Sequence, residues 1–167
     1  MIVRQLRAEE VPAFARLQIN AYPGFHSSNE AYRKEFKERL ERYKGRPDKT
    51  FFAAFRGEEM VGGMLLHDFT VRLFDVDAPM GGVGMVATDL TAKKEKVAKT
   101  MIESFLRYYR ENGYPLAALY PFRPDFYKRM GFGYGTKIHQ YRLTPSSFPG
   151  GLQKAGLCHL GLNDIPK

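Results

Sequence analysis

The pattern that most restricts the fold is a strand, a helix and a second strand that follow one another in the second half of the chain. Residues Gly82–Ala87 form a strand candidate, Lys93–Arg110 places apolar side chains four apart, and Leu116–Leu119 is wholly apolar. Four-residue spacing predicts an amphipathic helix, and a short apolar run is typical of a strand buried on both faces. Strands joined by a helix predict parallel pairing, with a loop at the helix N-terminus where backbone N–H groups attract anions.

The rest of the chain predicts a mixed sheet covered by helices. The turn Arg56-Gly57-Glu58-Glu59 predicts a hairpin between two apolar strands. The other predicted strands are Ile2–Leu6, Thr50–Phe55, Met60–Phe69 and Tyr134–Leu143; the other predicted helices are Glu9–Ala21, one opened by the capping box Ser27-x-x-Glu30, and Pro124–Met130. We therefore expect an α/β fold (α+β mixed sheet), in which a central mixed β-sheet is flanked by helices.

Positive charge is concentrated in the second half of the chain. The 167 residues include 26 Lys and Arg against 18 Asp and Glu, for a formal net charge of +8. Residues 1–84 hold 13 basic and 12 acidic side chains, a net +1, whereas residues 85–167 hold 13 and 6, a net +7. The excess predicts an anionic partner: nucleic acid, a phosphorylated cofactor or an anionic membrane surface. Aromatic residues at core spacing, rather than alternating with exposed cations, argue against nucleic acid.

Composition and cysteine content narrow the class of protein. Hydrophobic residues make up 44% of the chain, and no apolar run reaches the ~18 residues of a membrane span. We therefore expect a globular protein that has no membrane partner. Cys158 is the single cysteine, which excludes an internal disulfide and favours a cytoplasmic location. The four histidines fall on different predicted elements without ligand spacing, so we expect no metal site.

Three lysines at the start of the predicted helix form the strongest candidate site. Lys93, Lys94 and Lys96 place positive charge at the helix N-terminus, where they oppose the helix dipole. A bound phosphate would relieve that conflict. The alternative interpretation is a solvated basic helix start without a ligand.

Two motifs in this region resemble the GNAT N-acetyltransferases. Asp125-Phe-Tyr-Lys-Arg-Met-Gly-Phe132 is similar to the family's FYxxxGF element, and it follows a strand, a basic loop, a helix and an apolar strand in the family's order. Gly113-Tyr-Pro-Leu-Ala-Ala-Leu-Tyr120 and residues 126–135 look more narrowly like the enhanced intracellular survival (Eis) branch. The resemblance covers residues 1–145, and its specific part is 82–143.

The resemblance implies acetyl-CoA as co-substrate, without a metal, and a primary amine as acceptor that attacks the thioester directly. A backbone N–H near Val86 would polarise the thioester carbonyl, and Tyr127 would protonate the departing CoA thiolate. The implied cofactor-binding residues are Met85, Val86 and Ala87 for the pantetheine arm, and Lys93, Lys94, Lys96, Val97 and Ala98 for the pyrophosphate. Tyr22, Phe25 and Tyr32 are candidates for the acceptor pocket, although residues of these types are more often part of the core.

One residue departs from the family pattern. Lys96 stands where the family's pyrophosphate loop has its first glycine, a residue that lets the backbone approach the ligand closely. Either the charge of Lys96 replaces that contact or the site is weakened. A degenerate module that binds acyl-CoA without turnover therefore remains an alternative to an enzyme, and a basic nucleic-acid-binding protein is a further one.

The end of the chain predicts a second domain. We expect residues 1–148 to form the GNAT domain and Pro149-Gly150-Gly151 to be a linker. Residues 157–167 align without a gap on residues 3–13, which predicts the start of a second copy of the fold in residues 149–167. The resemblance implies that Eis-type proteins carry such a second GNAT-like domain. They also carry a C-terminal domain, whose terminal carboxylate serves as the base. The resemblance also implies a homo-oligomer for the full-length protein, and a chain that is inactive when it lacks that base.

Overall fold

A computed structural model of the chain describes residues 1–22, 29–135, 137–148, 150–151, 158 and 161. Its described strands form one five-stranded sheet in the order β1 to β5. The strands are Ile2–Gln5 (β1), Lys49–Arg56 (β2), Glu59–Leu73 (β3), Val76–Thr88 (β4) and Leu116–Leu119 (β5). The helices are Val11–Ala21 (α1), Glu30–Lys44 (α2), Val97–Glu111 (α3) and Pro124–Lys128 (α4).

Strands β1 to β4 pair antiparallel, and β5 pairs parallel with β4. The predicted mixed sheet and the crossover through α3 are therefore confirmed. The hairpin at residues 56–59 is also confirmed, because β2 ends at Arg56, β3 begins at Glu59, and Gly57 takes a positive φ of 60°. Glycine adopts that backbone conformation without the steric cost that a Cβ brings.

The two faces of the sheet bury separate cores. Because side chains alternate along a strand, Phe51 and Leu65 pack under α1 and α2 while Phe52 and Leu66 pack under α3. Two adjacent glycines in β3 let both layers approach closely: a Cβ on Gly62 would lie 2.7 Å from Val97 Cγ1, and one on Gly63 would lie 2.7 Å from the Phe14 ring.

Two predicted helix starts were wrong. Helix α2 begins at Glu30 rather than at the Ser27 capping box: Asn29 is its N-cap and accepts from the Tyr32 N–H, while Ser27 lies outside the described residues. Helix α3 begins at Val97 rather than at Lys93, because residues 93–96 form a turn. Periodicity places the body of a helix, but local side-chain bonding and the backbone of the preceding loop fix its first residue.

Strand β5 is less buried than its apolar sequence predicts. Ala117 is exposed and Leu116, Ala118 and Leu119 are half-buried. The reason is its position, since β4 is the only neighbour it has among the described strands. A strand at the edge of a sheet is covered on fewer sides than a central one.

The predicted strand Tyr134–Leu143 was also wrong. The described residues of this segment belong to no strand, and Tyr134, Ile138, Tyr141 and Leu143 are exposed. A strand is stable only where a second one supplies its ladder of hydrogen bonds, and no described strand pairs with this segment.

The chain divides into two units, residues 1–132 and 133–167. The first contains the sheet and all four helices, and the second contains a short 3-10 turn at Pro145–Ser147. Apart from positions 158 and 161, the internal repeat at residues 157–167 lies outside the described residues, so the second domain stays a prediction. Within the described parts of the chain, no helix has the length and apolar character needed to cross a bilayer.

Candidate active site

A bulge in β4 opens a groove between β4 and β5. Gly63 pairs with Ala87 and Leu65 pairs with Gly84, so β4 carries one more residue than β3 at this point. Met85 lies at the bulge with a φ of 52°. A bulge bends its strand, and the parallel pairing with β5 ends at Val83. The backbone of residues 84–88 therefore has no β5 partner and borders the groove.

Helix α1 fixes the bulged backbone through two side chains. Gln18 Nε2 donates to the carbonyl oxygen of Met85 at 2.7 Å, and the Tyr22 hydroxyl donates to that of Val86 at 2.7 Å. Burial raises the pKa of the Tyr22 phenol, so Tyr22 keeps the proton that it donates. A carbonyl oxygen has a second lone pair, so both groups retain capacity for another hydrogen bond.

One cavity in the first unit brings together nearly all predicted cofactor-binding residues. It has a volume of about 760 Å³ and no acidic residue among its lining side chains. Lys99 and Arg123 add two cations that the sequence interpretation missed. The predicted residues that line this cavity are Val86, Ala87, Lys93, Lys94, Lys96, Val97, Ala98 and Tyr127. Met85 lines the second cavity instead.

The basic loop has the backbone of a glycine loop without its glycines. Lys94 has a φ of 71° and Lys96 a φ of 62°, both in the left-handed region. Lys96 is also the N-cap of α3 and provides no side-chain cap. Lys96 therefore differs from the family's glycine in its side chain, but its backbone has the conformation that glycine favours.

The single acid of this loop is directed away from the cavity. Glu95 accepts from the Arg56 guanidinium at 2.9 Å, and it does not line the cavity. Arg56 belongs to the β2–β3 hairpin and also contacts Glu59. Because Glu95 is engaged there, the cavity side of the loop presents only positive charge.

Tyr127 combines a buried ring with access to the same cavity. It lies on α4 and is 5% exposed, packed edge-on against Phe126 at 5.2 Å and Phe132 at 6.0 Å between ring centroids. Its hydroxyl makes no hydrogen bond to another described residue. Burial, and to a lesser degree the nearby phenol of Tyr22, raises the pKa of Tyr127. A phenol that stays protonated suits the role of an acid.

The second cavity, of about 350 Å³, lies between α1, α2 and strands β3 and β4. Tyr22 lines both cavities, so the two meet at that side chain. The predicted acceptor-pocket residue Tyr32 lines it as well, whereas Phe25 lies outside the described residues. The described residues that line it are Gln18, Ile19, Tyr22, Tyr32, Phe36, Arg39, Tyr43, Leu65, His67 and Met85.

Sequence reasoning missed the polar members of this second cavity. Gln18 is a polar residue among the apolar positions of α1, which is the one local signal that could have identified it. Arg39 is one of several cations on α2, and His67 follows an apolar run in β3, so neither stands out by its spacing. Burial and the charge of Lys49 lower the pKa of His67. Among the described residues, no group of three or more His, Cys, Asp or Glu side chains could hold a metal ion.

The family is shown by a match to the model of the acetyltransferase (GNAT) domain over residues 2–135. The chain belongs to the GNAT acetyltransferase family. It is 31% identical to N-acetyltransferase Eis of Mycobacterium tuberculosis (strain ATCC 25177 / H37Ra) over 85 residues. That segment is 50% of this chain but 21% of the mycobacterial protein, so the match spans about a fifth of that relative's length.

Solved structures show the same fold. A predicted acetyltransferase with acetyl-CoA from Clostridium acetobutylicum superimposes with a TM-score of 0.69 at 10% identity, over 84% of this chain and 95% of that one. A probable N-acyltransferase from Enterococcus faecalis V583 gives a TM-score of 0.67 at 24% identity, over 78% of this chain and 31% of that one. The central mixed sheet flanked by helices is therefore a GNAT acetyltransferase fold, and acetyl transfer is the activity that this family membership supports.

Proposed function

We propose that this domain transfers an acetyl group from acetyl-CoA to a primary amine by direct attack. The observation that carries the proposal is that two cavities, one cationic and one mostly apolar, meet at Tyr22 beside the bulge of β4. Such an arrangement brings a donor and an acceptor to one point, which is the main requirement of a direct transfer.

The cationic cavity fits acetyl-CoA by its charge and its backbone. Lys93, Lys94 and Lys96 bind the pyrophosphate together with the N-terminal N–H groups of α3. Lys99 and Arg123 line the same cavity. Each forms an ion pair, Lys99 with Glu103 at 3.7 Å and Arg123 with Asp125 at 2.7 Å, so they add less positive charge for the phosphates than the three loop lysines. Residues 85–87 hold the pantetheine arm along the groove beside β4, where they have no β5 partner.

The transfer proceeds at the bulge. The uncharged amine attacks the thioester carbon, whose oxygen is polarised by a backbone N–H near Val86. A C–N bond forms, the C–S bond breaks, and the sulfur leaves as a thiolate. The proposed base takes the proton that the attacking nitrogen loses. Tyr127 donates its phenolic proton to the CoA thiolate, and its raised pKa keeps the proton available at neutral pH. Water reprotonates Tyr127 after each turnover.

Turnover distinguishes this proposal from a module that only binds acyl-CoA. The full-length protein, which would carry the proposed base, is incubated with acetyl-CoA and a panel of primary amines, and free CoA thiol and acetylated amine are measured together. We expect both products to appear in equal amounts. Acetyl-CoA binding without acetylation of any amine would support the binding module, and a salt-sensitive DNA mobility shift would support the nucleic-acid alternative.

We further propose that the chain is an Eis-like cytoplasmic protein, forms a homo-oligomer in its full-length form, and does not bind nucleic acid. The cationic lining of the cavity accounts for part of the charge excess of the second half without a nucleic acid. Residues 149–167 remain proposed as the start of a second GNAT-like domain, and the terminal carboxylate of a further, C-terminal domain is proposed to supply the base. Light scattering of the full-length protein tests the oligomer, and the coding sequence downstream of Lys167 tests the second domain.

A further inference from the structure

Gln18 presents a buried hydrogen-bond acceptor for which the described part of the chain supplies no donor. The side chain is 2% exposed, and Nε2 is occupied by the Met85 carbonyl at 2.7 Å. Its Oε1 has no hydrogen-bond partner among the described residues. A buried acceptor without a donor costs free energy and calls for a ligand or an ordered water. Because Gln18 lines the second cavity and is bonded to the residue before Val86, an amine N–H is well placed to supply that bond.

The walls of the second cavity favour an apolar body. The rings of Tyr32 and Phe36 stack with their planes at 15° and their centroids 6.1 Å apart. Ile19, Leu65 and Met85 complete a mostly apolar lining. A ligand gains affinity there by burying carbon surface, and aromatic rings pack well against other rings.

The positive charge of Arg39 restricts which charged group a ligand of the second cavity can carry. Arg39 is the one charged side chain among the lining residues, and its guanidinium lies 5.2 Å from the centroid of the Phe36 ring. No carboxylate of the described residues forms an ion pair with Arg39. The lowered pKa of His67 leaves that imidazole uncharged at neutral pH. A carboxylate is therefore attracted to this cavity and a second ammonium group is repelled.

We infer that the acceptor is a primary amine with an aromatic or apolar body and a carboxylate distant from the amine, rather than a polycation. Gln18 Oε1 receives the amine N–H beside the bulge. Arg39 binds the carboxylate. Arg39 lies seven residues after Tyr32 on α2, which corresponds to about 10 Å along the helix axis. This inference rests on the proposed acetyl transfer and names the substrate class of that reaction.

A series of three benzylamines tests the charge requirement with one ring and one amine. The compounds are para-(aminomethyl)benzoate, para-methylbenzylamine and para-xylylenediamine, which carry an anionic, a neutral and a cationic para substituent. We expect kcat/KM to be highest for the benzoate, about tenfold lower for the methyl compound and lower again for the diamine. Spermidine serves as the polycation and should be the poorest acceptor.

Two variants separate the roles of the two residues. Arg39→Gln should abolish the advantage of the benzoate and leave para-methylbenzylamine within about twofold, because only the carboxylate contact is lost. Gln18→Met keeps the volume of the side chain but removes both Oε1 and the Nε2 donor to the Met85 carbonyl, so all three amines should lose about tenfold in kcat/KM, and CoA alone should still raise the melting temperature if the bulge is intact. Lys34→Gln, an exposed cation on the same helix outside the cavity, is the control for a general loss of charge and should change nothing.

A binding measurement makes the two hypotheses independently testable. Thermal shifts with each amine in the presence of CoA report occupancy without turnover. If the benzoate stabilises wild-type but not Arg39→Gln, and no amine is acetylated, the cavity assignment stands and the proposed acetyl transfer fails. If amines are acetylated but the diamine or spermidine is preferred, the substrate class is wrong while acetyl transfer stands. Equal response of wild-type and Arg39→Gln to every compound would also overturn the assignment.

Discussion

The Tyr22 hydroxyl lies 2.7 Å from the carbonyl oxygen of Val86, and this hydrogen bond joins the last turn of α1 to the bulge of β4. The two residues are far apart in sequence, so the bond exists only because α1 lies across the sheet. Tyr22 also lines both cavities. Its ring is thus the wall shared by the proposed donor and acceptor sites, and its hydroxyl fixes that wall to the strand where transfer is proposed.

Replacement of Tyr22 by phenylalanine should weaken the link between α1 and β4. Tyr22→Phe keeps the ring and leaves the Val86 carbonyl without this donor, so we expect the free energy of unfolding to fall by about 1 kcal/mol. Urea denaturation measures the change. Tyr120→Phe is the matched control, because Tyr120 is 81% exposed and should lose almost nothing. Equal stability of Tyr22→Phe and wild-type would show that the bond contributes nothing net.

Tyr127→Phe tests the proposed acid. The ring contacts with Phe126 and Phe132 should survive, and acetyl-CoA should still raise the melting temperature of the variant. We expect turnover to fall by about 10²–10⁴-fold, as is typical when an acid–base group is lost. Because the pKa of Tyr127 is raised above its ordinary value of about 10, its deprotonation should not reduce the rate of the wild-type below about pH 10. Near wild-type turnover in a folded Tyr127→Phe variant would leave Tyr127 as a packing residue.

Lys96→Gly and Lys96→Ala together separate the backbone of the basic loop from its charge. Both variants remove one cation, so both should bind acetyl-CoA more weakly and with less dependence on salt. Only glycine removes the left-handed strain, which costs roughly 1–2 kcal/mol for a residue with a Cβ. After the extra chain entropy of glycine, about 0.5–1 kcal/mol, Lys96→Gly should be more stable than Lys96→Ala by up to about 1 kcal/mol in urea denaturation. A less stable Lys96→Gly would contradict the assigned backbone conformation.

Gly63→Ala should disturb the packing of α1 on the sheet. The added Cβ would lie 2.7 Å from the buried ring of Phe14, and overpacking of this kind typically costs about 1–3 kcal/mol. Gly45→Ala is the control, since no heavy atom lies within 4 Å of its added Cβ. Chemical denaturation of both variants gives the comparison. Equal stability of the two would mean that α1 does not approach β3 as closely as the structure has it.

Glu10 should make stability sensitive to acid. Its carboxylate accepts two hydrogen bonds from Arg4, at 2.7 and 2.8 Å, and one from the Arg7 N–H at 2.8 Å. The Arg4 bonds are the main reason that the pKa of Glu10 is lowered to about 2. A folded-state pKa below the unfolded value of 4.5 means that the stabilisation is present above about pH 4.5 and is lost as the pH falls towards 2.

The matching variant is Glu10→Gln, which cannot ionise. Unfolding measured at several pH values between about 6 and 2.5 should show a steeper loss of stability for wild-type than for Glu10→Gln. The two curves should approach each other towards pH 2.5 without fully meeting, because a carboxyl with a folded-state pKa of about 2 keeps much of its charge there. Parallel curves would show that Glu10 has the same pKa in the folded and unfolded chain.

Local pattern was sufficient for the features that neighbouring residues decide. The spacing of Val97, Met101, Phe105 and Tyr109 predicted α3, and all four are buried. The residue types at 56–59 predicted the hairpin. Lys93, Lys94 and Lys96 could be proposed as an anion site because the three charges lie close together in sequence beside a helix start. Tyr127 was recognised through a motif only a few residues long.

Burial and strand pairing were harder to predict because they depend on distant neighbours. The apolar sequence of Leu116–Leu119 is that of a central strand, yet its position at the edge leaves Ala117 exposed. The segment 134–143 has strand-like residues, but a strand forms only when a partner supplies the ladder. Neither partner nor position is encoded in the segment itself.

The sequence by itself determined the order of the elements, the cationic loop and the acid candidate, because each depends on residues within one or two turns of chain. Only the tertiary structure decided the second cavity. Gln18, Arg39 and His67 come from α1, α2 and β3, and each is unremarkable within its own element. These three side chains meet only because α1 and α2 pack on one face of the sheet. At the bulge, Met85 lines the second cavity and the next residue, Val86, lines the cationic cavity. A pocket formed by long-range packing has no local spacing from which it can be predicted.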